Sequence, residues 1–546
     1  MRNRAQWGYM NKRKSSAIAV AAAIGALATT AFAQDVTLTS QSTGFVLEGK
    51  LEDFDGVNYT ILSSMGRLTL PADDMICSGP NCPVAESVAE SGETGAASAF
   101  DTAFGVVGSN AIGSSLMPTL IEAYSFALGG EAEREVGGSD ASVFRLLDAA
   151  GAEVASINLS APGSAAAFPG LINGDALIGM SSRPARDTEV LAFENAGLGA
   201  INQTGTEHIL ALDGLVLIVS PDNPISSINI VDAAEIFSGS ITNWAALGGP
   251  DAPINLYVPD PRSGGAETFQ ERVLGPLGER LTSAAEIVPS NRDLADAVAN
   301  DPNGIGFTGM AFERSARALD LELPCGIIIE PNEFNVKTEE YPLSRRLFLY
   351  TTGQPLPNQA RALLDFALSD DAQIEIADIG FVNQSVTKIS LNDQGRRIAE
   401  AFIQPRNQEA VRMMRDMALE LLDADRLSTT FRFQQNSSVL DVKSEGDLLR
   451  LARYIANGEL ANKEIVLIGF ADDVDRFEAN IALSSQRAGQ LRAVLETELS
   501  RLDLPAPVDI VTLGFGPLAP VACEDEGFNF GSVTNRRVEV WVRDRF

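Results

Sequence analysis

Between residues 99 and 390 short, wholly apolar runs alternate with segments of helical periodicity. That alternation restricts this part of the chain to an α/β architecture around a buried sheet. Leu215-Val216-Leu217-Ile218-Val219 and Ile327-Ile328-Ile329 read as strands buried on both faces, and Asn291 to Asn300 as a helix between strands. The stretch is long enough for two lobes. The balance around it is that of a soluble globular protein: 45% hydrophobic and 21% charged residues in a chain of 546. The net charge of −32 leaves no electrostatic footprint for nucleic acid or an anionic membrane surface. His208 is the only histidine, which argues against multi-histidine metal sites and His-based acid–base catalysis. It sits at the start of a predicted strand and reads as structural.

Residues 1–33 carry Arg2, Arg4, Lys12, Arg13 and Lys14, then the small apolar run Ala17 to Ala28, then Ala31-Phe32-Ala33. This is the pattern of a secretory signal peptide. Its removal takes away basic groups only, so the mature chain is more acidic still. Export implies an oxidising compartment. Four cysteines follow: Cys77, Cys82, Cys325 and Cys523. Cys77 and Cys82 flank the turn Ser-Gly-Pro-Asn, so a local disulfide is expected. Cys325 and Cys523 either pair across domains or stay buried and reduced.

Residues 35–83 alternate apolar and polar positions, with Asp55-Gly56 as a hairpin signal, and read as a small all-β module closed by the Cys77–Cys82 loop. Residues 84–98 are rich in Ala, Ser, Glu and Gly and read as a linker. Residues 391–427 read as a helical connector with Val411, Met414, Ala418, Leu421 and Leu422 on one apolar face. Residues 428–546 give a compact β-α-β-α-β pattern, with strands at Ile465–Ile468, Val508–Leu513 and Val538–Val542.

Within that last segment the order is Gly469-Phe470-Ala471-Asp472, Asn480, Leu483-Ser484, Arg487-Ala488 and Asn535-Arg536-Arg537-Val538-Glu539. The segment resembles the OmpA-like peptidoglycan-binding domain, an α+β fold. The resemblance implies that Asp472 and Arg487, fifteen residues apart, grip diaminopimelate, with Asn480 at the family's Asn position. The chemistry is sound: diaminopimelate presents an ammonium and a carboxylate on one carbon, and a carboxylate plus a guanidinium match that zwitterion. Phe470-Ala471 stands where the family usually has His-Thr.

Residues 99–390 resemble the PstS-like phosphate-binding proteins of ABC importers. The resemblance rests on Gly108-Ser109-Asn110, Gly163-Ser164-Ala165, Asp175 to Pro184, Ile236 to Trp244, Arg262-Ser263-Gly264-Gly265 and Gly304-Ile305-Gly306-Phe307, in the family's order. It implies a two-lobed, hinged type II periplasmic-binding-protein fold. It implies an oxyanion held by short polar loops and helix N-termini: Ser109, Asn110, Ser164, Ser181 and Ser182 from one lobe, Ser263, Gly264 and Gly265 from the other. Where the family's arginine stands, this sequence has Pro259, and Gly265 replaces a threonine. Arg262 is the expected substitute cation.

No Gly-x-Ser-x-Gly elbow, P-loop or His-Glu-x-x-His motif is present, so no enzyme, cofactor or metal is expected. The expected function is a cell-envelope solute-binding protein, non-covalently tethered to peptidoglycan, that captures phosphate or a similar small anion. The expected location is the periplasm, at the wall and near the outer membrane. The partners are the anion, the diaminopimelate of peptidoglycan, and an ABC permease or outer-membrane component. The alternative is a structural or adhesin-like envelope protein whose two-lobed domain has lost or changed its ligand.

Overall fold

The computed structural model describes residues 36–40, 46–54, 58–63, 66–71, 75–78, 82, 103–138, 140–403, 407–433, 440–473, 476–502, 504, 508–523 and 531–545. The expected signal peptide, the expected hairpin turn at Asp55-Gly56 and the expected linker at 84–98 lie outside the described residues. The chain divides into two compact units, residues 1–96 and 97–546.

The first unit holds a five-stranded antiparallel sheet in the order 66–71, 58–63, 46–54, 36–40, 75–78. Val36, Leu38, Tyr59 and Ile61 point to one buried face, the period of two that the sequence carries. Cys77 and Cys82 form the expected disulfide.

The second unit opens with the two-lobed domain. Its main sheet runs 286–287, 255–258, 304–309, 207–219, 344–350, 178–181, 103–108, 153–160, 141–147, 131–136. Two strands cross between the lobes. Glu207–Val219 pairs with Ser344–Tyr350 over its first half and with Gly304–Gly309 over its second. Each lobe has its own core. One packs Phe237, Trp244, Phe269 and Phe307, with Phe269 stacked on Phe307 at 4.1 Å. The other packs Ile112, Leu120, Phe144, Ile178 and Leu349. The apolar run at 327–329 contributes only a two-residue strand, Ile328–Ile329, to a small separate sheet. The helix expected at Asn291 forms over Asn291–Asn300 and is capped by Ser290, whose Oγ accepts from the Asp293 N–H.

The C-terminal sheet runs 388–390, 425–432, 537–544, 463–469, 509–514. Alternate residues feed opposite faces. Ile465, Leu467, Val538 and Val540 pack against the helices Val442–Ala456 and Phe477–Leu499. Val466, Ile468 and Trp541 pack against Ala410, Met414, Met417 and Leu421. The connector is therefore two helices, Gly395–Ile403 and Gln408–Glu420, covering the second face of this sheet. Its buried stripe is turned from the expected one. Val411 and Leu422 are exposed, and Ala410 and Met417 take their places, because spacings of four, three and four fit the sheet face better. Cys325 and Cys523 are disulfide-bonded, joining the two-lobed domain to the C-terminal domain.

Candidate functional sites

The first-lobe loops are tied together by their backbones. The strand Ala103–Gly108 leads into Ser109, whose N–H donates to the Met180 carbonyl (2.8 Å), and the Gly163 N–H donates to the Gly108 carbonyl (2.9 Å). Ser164 Oγ accepts from the Ser182 N–H (3.0 Å) and lies 3.1 Å from Ser182 Oγ. The second lobe meets them through the helix Gly264–Phe269. A Cβ at Gly264 would stand 1.9 Å from Ser182 Oγ and 2.9 Å from Ser164 Oγ, so only glycine allows this approach. Gly163, at φ 138°, likewise lies against the Arg262 carbonyl.

Ser164, Ser182 and Gly264 are thus brought together, with Gly265 buried just behind. The other hydroxyls serve turns and caps. Ser181 Oγ donates to the Arg183 carbonyl (2.7 Å), Ser263 Oγ accepts from the Ala266 N–H (3.2 Å), and the Ile112 N–H reaches Ser109 Oγ at 3.5 Å. Asn110 is half-buried in the first turn after Ser109.

Arg262 does not enter the cleft. Its side chain is 79% exposed and its guanidinium grips Asp260, two residues back, at 3.0 and 2.7 Å. A carboxylate so close in sequence satisfies the arginine outside the cleft, and that pairing holds the Asp260 carboxyl below its ordinary range.

Two buried arginines went unassigned in the sequence. Arg183 makes a bidentate pair with Glu189 (2.8 Å each) and donates from Nε to Glu267 (2.9 Å), on the second-lobe helix. Burial would lower its pKa, but the two carboxylates outweigh that and raise it. Arg345 donates from Nε (2.9 Å) and Nη2 (2.6 Å) to Asp213, which also accepts the Met310 N–H (3.1 Å). Arg183 had a signal, as a charge just after the apolar strand Ile178–Ser181 that demands a partner; Arg345 had none, because Asp213 lies 132 residues away. A cavity of about 530 Å³ opens beside the closed loops, lined by Ser182, Thr268, Ser344 and Arg345 and, from the C-terminal domain, Arg432 and Thr534.

In the C-terminal domain Asp472 follows the strand Lys463–Gly469, while Asn480 and Arg487 lie on the helix Phe477–Leu499. All three are buried. Asp472 accepts from Arg536 Nη1 at 2.7 Å. Arg487 stands over the Phe433 ring at 5.8 Å. Burial and the charge of Arg536 lower its pKa, and Asp472 opposes them. The cluster thus holds one carboxylate and two guanidinium groups, which suits a ligand that brings its own carboxylate. Arg536 was legible only as part of a pattern. Phe470 turns inward, and the Arg537 guanidinium stacks on its ring at 4.1 Å. His208 is half-buried, with Nε2 3.3 Å from Thr351 Oγ1, and burial lowers its pKa.

Two segments of the chain match known families. Residues 136–371 match the PBP superfamily domain, and residues 432–525 match the OmpA family. The phosphate-binding protein PstS of Borreliella burgdorferi is 26% identical over 231 residues, 41% of this chain and 79% of that protein. PstS of Bacillus subtilis is 28% identical over 246 residues, 44% of this chain and 76% of its own length. A crystal structure of a candidate phosphate ABC transporter substrate-binding protein from Clostridium perfringens, with bound phosphate, is 25% identical. It covers 52% of this chain and 99% of its own, with a TM-score of 0.41. The chain therefore carries a domain that matches the PBP superfamily and is similar to PstS, followed by a C-terminal domain that matches the OmpA family.

Proposed function

We propose that this protein is a periplasmic receptor for phosphate or a similar small oxyanion, held on the cell wall by its OmpA-family domain. The observation that carries the reading is the meeting of the Ser164, Ser182 and Gly264 loops in the same compact unit as the Asp472–Arg487–Arg536 cluster. The named phosphate binding of the PstS relatives supports the anion half. Asp472 would take the ammonium of a diaminopimelate and the two arginines its carboxylate. Anchoring restricts diffusion and raises the receptor's concentration near a partner. That partner would be an ABC permease or an outer-membrane component, to be sought by crosslinking at the envelope.

Calorimetric titration of the full mature chain, stripped of ligand, with phosphate and with sulfate as control, tests the anion half. Saturable binding is expected, and Ser182→Ala with Ser263→Ala should weaken it. Co-sedimentation with purified sacculi tests the wall half. Asp472→Ala or Arg487→Ala should leave the protein in the supernatant, and unchanged pelleting would remove the assignment.

A second reading is favoured by two observations: the hydroxyls at the meeting point bond one another, and Pro259 and Gly265 stand where the PstS-like pattern has an arginine and a threonine. On it the protein is a structural envelope component without an anion ligand. Absence of binding to any oxyanion, with sacculus binding intact, would establish this reading.

A further inference from the structure

Resting on the receptor reading, we infer that the cation of the anion site is Arg345, on the strand that crosses between the lobes, and not an arginine of the 259–265 loop. The Arg345 side chain is 4% exposed. Asp213, itself fully buried, accepts from Nε and Nη2 and so fixes the guanidinium plane. Nη1 is buried and has no hydrogen-bond partner among the described residues. Such a donor is costly unless something takes its protons. The hydroxyl of Ser344, on the same cavity wall, is also without a partner.

The remaining arginines of the cavity are committed. Arg183 holds Glu189 and Glu267. Arg272 donates to the carbonyls of Pro342 and Ser344. Arg346 and Arg432 both hold Glu339. Among the described arginines of this wall, Arg345 is the one with a fully buried nitrogen that no hydrogen bond takes. Its carboxylates are equally engaged, except Glu207, which takes the Tyr350 hydroxyl, and Glu271, which is exposed.

Gly265 lies beside that donor. A Cβ there would stand 3.4 Å from Arg345 Nη1 and 3.5 Å from Leu215. A side chain at 265 would pack on the nitrogen, which is already shut from solvent, while glycine leaves the space beside it unfilled. The departures at 259 and 265 therefore belong together: the loop lost its cation and its covering side chain, and the crossing strand supplies a cation behind the gap. The shared chemistry is a tetrahedral oxyanion taking a charge-assisted bond from Nη1. The cavity of about 530 Å³ admits either a bare oxyanion or one carrying an organic group.

The test is calorimetry on the full mature chain, with inorganic phosphate in one arm and glycerol phosphate in the other. The arm with the tighter binding identifies the source. The Arg345→Gln/Asp213→Asn pair removes the donor without leaving Asp213 buried and unpaired. It should weaken binding roughly tenfold to hundredfold, the size of a lost hydrogen bond to a charged group. Gly265→Val covers Nη1 while leaving both charges in place. It should weaken binding in the same direction, read in protein that still melts cooperatively, since the added methyls cost some stability. Arg262→Gln should bind as wild type. Wild-type affinity in Gly265→Val, or in the folded double variant, overturns the assignment, as does loss of binding in Arg262→Gln. If wild type binds neither ligand, the receptor reading falls and the assignment with it. If wild type binds and only the serine variants fail, the reading stands and Arg345 is excluded.

Discussion

Glu340 shows how much can rest on one side chain. It is 3% exposed and accepts from both terminal nitrogens of Arg426, which is itself 1% exposed. Arg397 and Arg537 lie close by, and Glu539 is the cluster's second carboxylate, bonded by Arg397, Arg537 and the Trp541 indole. Three arginines share two carboxylates, so the group tolerates no loss of acid. Replacing Glu340 with Gln leaves Arg426 buried without a full counter-charge. The expected cost is about 3–5 kcal/mol, the penalty for breaking a buried ion pair from one side. Urea denaturation of wild type and Glu340→Gln checks it; a difference below about 1 kcal/mol would mean water reaches the cluster. None of these residues was singled out in the sequence as a group. A buried charge looks like a surface charge until its partner is known, and Glu340 lies 86 residues from Arg426. Asp472 and Arg487 were singled out only through the resemblance to the OmpA-like domain, and the structure buries both beside Arg536. Arg345 and Asp213 were not singled out, since 132 residues separate them.

At the scale of the element, the strand Asp425–Arg432 is the instructive case. It was not foreseen, because its sequence, Asp-Arg-Leu-Ser-Thr-Thr-Phe-Arg, shows no apolar alternation. Every residue after Asp425 is nevertheless buried. Leu427 and Phe431 pack into the domain core, while Arg426 and Arg432 reach Glu340 and Glu339 of the two-lobed domain. The strand's polar face is an interface, and composition cannot separate an interface from solvent. The apolar crossing strand Glu207–Val219, by contrast, announced itself because core lies on both of its faces. The interface also sets a pH dependence. Burial alone would raise Glu340, but Arg426 and Arg397 outweigh it and bring its pKa down to about 2, from an ordinary 4.5. Glu339 is depressed in the same direction by Arg346 and its neighbours, against the effect of burial. A depressed carboxylate binds its proton more weakly when folded. Its stabilisation is present above about pH 4.5 and is lost as the pH falls towards 2. The urea midpoint should therefore fall steeply over that window, and less steeply in Glu340→Gln, which has one fewer group to protonate. Parallel pH profiles would show that other carboxylates dominate.

At the scale of the second unit, the C-terminal domain touches both lobes of its neighbour. On one lobe it is fixed by the Cys325–Cys523 bond and the Glu340–Arg426 pair. On the other, Thr204 donates to Glu445 (3.1 Å), and Val442 packs against the cluster that contains Phe168 and Phe193. Arg346 of a crossing strand is tied to Asp441 at 2.7 Å. A body attached to both sides of a hinge opposes its motion, and Arg183–Glu267 adds a bond across the cleft itself. Opening must break contacts on one side, and the side without the disulfide is the weaker. Removing the covalent tie should therefore loosen the hinge as well as the domain. Cys325→Ser with Cys523→Ser should lower stability by about 2–5 kcal/mol, in the range for a disulfide closing a long loop. It should also enlarge the change in radius of gyration on adding phosphate, measured by small-angle X-ray scattering. Wild type should contract little, since its cleft loops already meet. Equal contraction in both proteins would mean that the hinge turns independently of the C-terminal domain. Contraction only in the variant would mean that the C-terminal domain holds the lobes together, and that the cleft opens when the weaker contacts, at Thr204 and Val442, give way.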